Sequence, residues 1–379
     1  MEPFLALGEE LQQVGHPVAF CMPAQFEALA REVSPHFYPM TSAFLDLVES
    51  DEVKKITGQL GSPLSRVRTV FKLLKTTAPL QHQLIRDQKQ AVDHFGPDTI
   101  IFHIKCIYPI MTALRDGQRV ELLSPVPCLL HAVDFEPAIG FGRPRSRWWN
   151  RFTYSLANRT VIQSAVLPYG NVVAKEWGWP KLEAAEVRQF LLETLPVEYA
   201  VSPDLFPEPL DWPEHVRVSN FRERNKAKAW TAPEALLQFL KDHPRPLFVS
   251  FGSMINARPK EVGQAILNAT AAAKVPVLIN TSWGGIELPD HLPGHAFAVK
   301  DVPYDWLFAQ VRAVVHHGGS GTTHSALQFQ LPQLIVPHIG DQFLWARRVQ
   351  AVRMGPKGFG IKEFSEAKFG AALQELLRY

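Results

Sequence analysis

The sequence has no apolar run long enough to cross a bilayer, no cysteine pattern, no excess of charge and no low-complexity tract or internal repeat. A transmembrane helix needs about 20 consecutive apolar residues, so none is expected. The three cysteines, Cys21, Cys106 and Cys128, lie far apart and match no zinc or redox spacing. They suit buried free thiols in a reducing cytoplasm. The net charge is +2, and the basic residues are scattered, with no nucleic-acid module among them. Nucleic acid is therefore not an expected partner. What the chain does have is 46% apolar and 20% charged residues, the balance of a globular protein rather than a disordered one. Its 379 residues exceed one ordinary core and suit two domains. Its 31 prolines fit many short loops closing βα units.

The chain opens on an amphipathic helix over 1–15, with Phe4, Leu5, Leu7 and Leu11 on one face. Strands are expected at Val18–Cys21, Thr99–Phe102, Pro127–Leu130 and Val197–Val201, and a helix over Ser65–Asp87 carrying Val67, Val70, Phe71 and Leu74 at helical spacing. A polar, proline-broken stretch from Asp204 to Pro233 places a domain boundary near Phe221, giving domains 1–221 and 222–379. The second domain alternates more cleanly. Strands at Leu247–Phe251, Val277–Asn280, Ala296–Val299, Ala313–His317 and Gln333–Pro337 are separated by helices near Pro259–Ala273, Tyr304–Gln310 and Thr322–Phe329, and a last helix runs from Gln342 to about Val352. This alternation predicts an α/β fold whose parallel sheet is covered on both faces. Ligands of such sheets lie beyond the carboxyl ends of the strands, where Ser253, Trp283, Val302, His317 and Asp341 fall.

The most informative stretch is 311–342. An apolar strand breaks into His316-His317-Gly318-Gly319-Ser320-Gly321-Thr322-Thr323 and then a helix. Bare amides opening a helix make an anion cradle, because unpaired N–H groups and the helix dipole both favour negative charge. A phosphate is the expected ligand, although tight packing alone also explains such a turn. Four histidines, His316, His317, His324 and His338, invite a metal reading, but no carboxylate or cysteine completes a coordination set. His316 is expected to be structural, and Asp341 can serve as an ordinary N-cap. No G-x-x-x-x-G-K-[ST] occurs, and the glycine run reaches His324 where a dinucleotide fingerprint needs its third glycine. The Trp148-Trp149 pair among Arg143, Arg145, Arg147 and Arg151 reads either as a membrane-surface patch or, preferably, as a loop over an acceptor cleft.

Four motifs in order, Phe251-Gly252-Ser253-Met254, 302–308, 317–323 and Gly340-Asp341-Gln342, resemble nucleotide-sugar glycosyltransferases of GT-B fold. The branch resembled is that of the sterol 3-beta-glucosyltransferases and their bacterial relatives. The first half matches more weakly, through Phe102-His103-Ile104-Lys105, Ser124-Pro125-Val126-Pro127 and Trp177-Gly178-Trp179-Pro180. The resemblance implies two Rossmann-like domains facing across a cleft, the first one lacking its first strand. It implies a UDP-sugar donor, an apolar small-molecule or lipid acceptor, no cofactor and no obligatory metal. His317 and the amides of Gly319, Ser320, Gly321 and Thr322 would hold the diphosphate, with Ser253 opposite. Val302 would face uracil, Trp283 would wall the nucleotide, and Asp341 and Gln342 would bind the hexose. The family usually has His where this chain has Tyr304.

The activity so implied is inverting transfer of a hexose, glucose first, to an acceptor hydroxyl. The general base of the family lies in a loop after the first strand, and its aspartate is expected immediately before Met1. The end at Tyr379 also falls before the helix that relatives carry last. Both features suggest a start and an end shorter than the natural protein's. The catalytic residue is thus unassigned, with His103 as a weak substitute. The alternative is a nucleotide-sugar binding protein with little transfer, and an epimerase of the same fold is a weaker third reading. The expected setting is the cytoplasm, with peripheral membrane contact.

Overall fold

The computed structural model describes residues 1–42, 63–226, 230–252, 254–281 and 285–379, with the side chains of 63–77 left outside the description. The chain divides into two compact units. One comprises Met1–Ala138, Arg143–Ala200 and Pro209–Arg217; the other comprises Ile139–Gly142, Val201–Glu208 and Val218–Tyr379.

The first unit opens on the helix Glu2–Gln13, whose Leu5 packs with Phe20, Ala30 and Phe37. Strands β1 (Ala19–Pro23) and β2 (His36–Met40) pair in parallel as a sheet of their own. A second sheet takes the order β3-β4-β5-β6, from Thr99–Phe102, Arg119–Ser124, Val197–Ala200 and Val216–Ser219. The helix expected over Ser65–Asp87 is longer, Pro63–Phe95, and its residues Val67, Val70, Phe71 and Leu74 lie outside the described side chains. The strand expected at Pro127–Leu130 does not form. Pro125 and Pro127 offer no amide donors, and Cys128 takes a positive φ of 60°, so the apolar run turns instead of extending. The strand lies just upstream, at Arg119–Ser124.

The second unit is a five-stranded sheet in the order β11-β10-β7-β8-β9. These strands are Leu247–Ser250 (β7), Val277–Asn280 (β8), Ala296–Val299 (β9), Ala313–His316 (β10) and Gln333–Ile335 (β11), and each neighbouring pair runs parallel. Successive side chains on a strand point to opposite faces, and both faces here are buried. Leu247, Val249, Val277, Ile279, Ala313 and Val315 pack toward the helices Pro259–Ala272 and Glu366–Leu376. Phe248, Leu278 and Val314 pack on the other face with Leu236, Phe239, Leu307 and Ala326. The chain order reverses between β7 and β10, which leaves a crevice at their carboxyl ends of the kind that takes ligands in open α/β sheets. Among the described residues no helix is long and apolar enough to cross a membrane.

Candidate functional site

Strand β10 is wholly buried, and His316 stands opposite Ser250 of β7 in the ladder. The residues following both strands therefore emerge side by side. Gly252 takes a positive φ of 54°, and a Cβ there would come 2.9 Å from His317 Cε1. A Cβ on Gly319 would come 2.5 Å from His317 Nε2. The imidazole of His317 is thus wedged between two glycines. Its Nδ1 is buried and has no hydrogen-bond partner among the described residues. Burial, helped by nearby His338, pushes its pKa down to about 4, so the ring is neutral at physiological pH.

The helix Ser320–Gln328 begins immediately afterwards, with Gly319 at its N-cap. N-caps usually carry Ser, Thr, Asp or Asn, whose side chain satisfies a first-turn amide. Glycine cannot, and no side-chain cap bond is formed. The helix therefore begins without a side-chain cap, the kind of start that an anion can complete.

A buried relay holds the loop. The Gly318 N–H donates to His316 Nδ1 at 3.2 Å, which leaves the ring proton on Nε2. That Nε2–H donates to Gln333 Oε1 at 2.9 Å, and Gln333 Nε2 donates to the Thr323 carbonyl at 3.2 Å. Burial pushes the His316 pKa down to about 3, so the relay keeps this tautomer. His316 is structural, as its position inside the apolar strand suggested. Gly318, at φ 90°, could not carry a side chain: a Cβ would meet Ile335 Cγ2 at 2.7 Å.

The other expected residues gather at the same end of the sheet with different degrees of freedom. Thr322 is buried, and its hydroxyl meets that of Tyr304, which also reaches Ser250. Val302 packs into the core two residues ahead of Tyr304. Gln342 is buried, and its Oε1 accepts from the backbone N–H groups of His338 and Ile339 at 2.7 and 3.1 Å. Its Nε2 points to Met254 Sδ at 3.2 Å. Asp341 occupies the N-cap of the helix Gln342–Ala351, and its Oδ2 accepts from Trp345 Nε1 at 3.2 Å. Ser253 and Trp283 lie outside the described residues.

Four contributors were not legible beforehand. His338 donates from Nδ1 to the Val336 carbonyl at 3.0 Å, and its Nε2 is buried without a partner among the described residues. Phe221 stacks on His324, with ring centroids 4.6 Å apart, and Glu223 accepts from the Ser325 hydroxyl. Gln333 completes the relay, and its signal was a polar residue opening an apolar strand. In the first unit, His103 follows β3 and its Nδ1 accepts from the Lys105 N–H at 3.2 Å. Burial, with Lys105 and the chain's amino terminus nearby, pushes its pKa down to about 4.

Residues 264–376 match the family model described as the erythromycin biosynthesis protein CIII-like C-terminal domain. All of the chain aligns with a sterol 3-beta-glucosyltransferase of Arabidopsis thaliana at 28% identity, covering 61% of that protein. The chain spans about three-fifths of the length of the curated relatives it matches. Among solved structures, the glycotransferase of kitacinnamycin is similar with a TM-score of 0.70 at 18% identity, over 99% of this chain and 87% of that one. A spinosyn rhamnosyltransferase complexed with thymidine diphosphate gives a TM-score of 0.60 at 15% identity, over 100% and 88%. The fold is therefore GT-B, the architecture of two Rossmann-like domains found in nucleotide-sugar glycosyltransferases. Within that class the chain is similar in sequence to sterol 3-beta-glucosyltransferases.

Proposed function

We propose that the protein is an inverting hexosyltransferase that takes glucose from UDP-glucose and places it on a hydroxyl of an apolar acceptor, a sterol, lipid or polyketide. The observation that carries the reading is the uncapped start of the helix Ser320–Gln328 beside the wedged, neutral His317. A nucleoside diphosphate suits both: the amides and helix dipole attract its charge, and the imidazole can donate to a phosphate oxygen. The same donors would stabilise the charge that grows on the diphosphate as the acceptor hydroxyl gives its proton to a general base and bonds to the anomeric carbon, and the bond from that carbon to the diphosphate oxygen breaks. No metal or cofactor is needed for this step. The thymidine diphosphate in the similar rhamnosyltransferase supports a nucleoside diphosphate as ligand class. The sterol glucosyltransferase relatives support glucose and an apolar alcohol.

Asp341 is the sugar-binding residue in this reading. Gln342 then acts through the loop, because its carbonyl oxygen already holds two backbone amides. Val302 offers backbone groups to the base, and Ser253 and Trp283 complete the nucleotide site. Calorimetry with UDP tests the phosphate role. Losing one charge-assisted hydrogen bond costs about 1.5–3 kcal/mol, so His317→Ala should weaken UDP roughly 10- to 100-fold. Unchanged affinity refutes it. Asp341→Ala should weaken UDP-glucose more than UDP, and equal losses refute the hexose assignment.

A second reading, a nucleotide-sugar binding protein with slow transfer, is favoured by His103. Its Nδ1 lone pair is taken by the Lys105 amide, so the neutral ring presents a donor rather than a base. A pKa near 4 also makes it a poor proton acceptor at neutral pH. Measuring UDP release in the presence of a sterol panel separates the two: tight UDP-glucose binding without turnover supports the binder.

A further inference from the structure

The residues Trp148 and Trp149 do not form a loop, as the sequence suggested, but open the helix Arg147–Val161, capped by Ser146, whose side chain accepts from the Trp149 amide. One side of this helix is buried through Asn150, Thr153, Tyr154 and Asn158. The opposite side exposes Trp148, Phe152 and Leu156 at four-residue spacing, by 70%, 42% and 41%. Trp148 and Phe152 stack with centroids 5.2 Å apart, which makes one continuous aromatic surface. Arg159 stands on the same side, eleven residues after Trp148, and is exposed. Between Glu136 and Glu176 the sequence has no acidic residue, but it has Arg143, Arg145, Arg147, Arg151, Arg159 and Lys175. Asp134 and Asp211 neutralise only Arg147 and Arg151. Arg145 lies over the Trp149 ring at 5.2 Å, and Arg143 and Arg159 are exposed without an ion pair among the described residues. The Arg151–Asp211 pair also brings the fully exposed Leu210 beside this helix.

We propose that this helix face docks the protein onto an anionic lipid surface, with Trp148, Phe152 and Leu156 entering the headgroup boundary and Arg143, Arg145 and Arg159 meeting lipid phosphates. An apolar stripe flanked by arginines fits that boundary, where aromatic rings sit at headgroup depth. The excess of arginines over the two paired aspartates is the charge complement of such a surface. A protein groove would equally accept the apolar stripe but gives no reason for a flank with this excess of arginine. The proposal does not depend on the sugar-nucleotide site, which belongs to the other unit.

Co-sedimentation of the full chain with phosphatidylcholine vesicles, with and without phosphatidylglycerol, tests it. Binding is expected mainly to the anionic vesicles and should weaken as salt rises. The double variant Trp148→Ser, Phe152→Ser should lower partitioning roughly tenfold or more, since each lost ring removes apolar insertion. The variant Arg143→Glu, Arg159→Glu should lose the preference for phosphatidylglycerol. A urea midpoint unchanged in each variant reports that the fold is intact. Equal partitioning of variants and parent overturns the proposal, as does binding to neither vesicle. Light scattering that finds a concentration-dependent dimer, lost in the tryptophan variant, overturns it in favour of a second copy on this face.

Discussion

Two irregular stretches of this protein are held in opposite ways. In the second unit, the loop 316–323 is shaped by missing side chains: Gly252 and Gly319 admit His317, and Gly318 bends where a Cβ would strike Ile335. In the first unit, the stretch from Leu130 to Ala138 is shaped by side chains reaching in. Asn158 Nδ2 donates to the Leu130 carbonyl, Asn150 Nδ2 to that of Asp134 and the Tyr154 hydroxyl to that of Glu136. The Thr153 hydroxyl accepts from the Ala138 amide. A buried backbone without ladder partners must find them somewhere, and here one helix supplies them. The comparison teaches that backbone-made sites announce themselves as glycine patterns, whereas side-chain-made ones look like ordinary helix residues.

The largest effect that tests this contrast is expected at Gly319→Val. Its Cβ would press on His317 Nε2, so UDP affinity measured by calorimetry should fall by roughly 100-fold or more, as a displaced hydrogen-bonding group and a blocked cradle both act. Affinity within a few-fold of the parent would break the claim that the loop depends on bare backbone. Next comes Asn150→Ala, which removes donors and acceptors at Asp134 and Arg145. Urea unfolding should show a loss of about 2–3 kcal/mol with UDP affinity unchanged, because buried groups are left unsatisfied in the first unit alone. A parallel loss of UDP affinity would erase the distinction between the regions.

Gln333→Leu should act more gently, lowering UDP affinity roughly tenfold by leaving His316 Nε2–H and the Thr323 carbonyl without their partner. A change in melting temperature alone, with binding intact, would reduce Gln333 to packing. The smallest expected effect is a slope. His324 is buried and its pKa is pushed down to about 4, while the unfolded residue titrates near 6.5. The unfolded state therefore binds more protons between those values, so stability rises with pH across that window and is fully present above about 6.5. His324→Gln should flatten part of that rise in urea midpoints measured from pH 4 to 7, and an identical profile would show that this histidine does not contribute.

The same contrast explains what was legible in advance. Thr99–Phe102, Val277–Asn280 and Ala296–Val299 form strands with the bounds expected of them, because apolar runs between turn residues leave little choice. His36–Met40 went unread, since Pro39 argues against a strand and only pairing with β1 makes one. Pro127–Leu130 misled in the other direction, its apolar content hiding the turn at Cys128. At the site, the glycine run showed where to look. The roles of Gln333 and Glu223 could not be seen, because each depends on a neighbour distant in sequence, His316 and Ser325.

His317 has one more property that follows from its flanking glycines. Caught between two Cα positions, the ring has almost no alternative rotamers to lose, so under the proposed function a ligand would meet a donor already aimed. Ordering that normally opposes association was completed when the chain folded, and affinity gained this way survives even where few contacts are made. Enlarging either glycine and shrinking the histidine would have to occur together, which makes the three residues a single heritable unit.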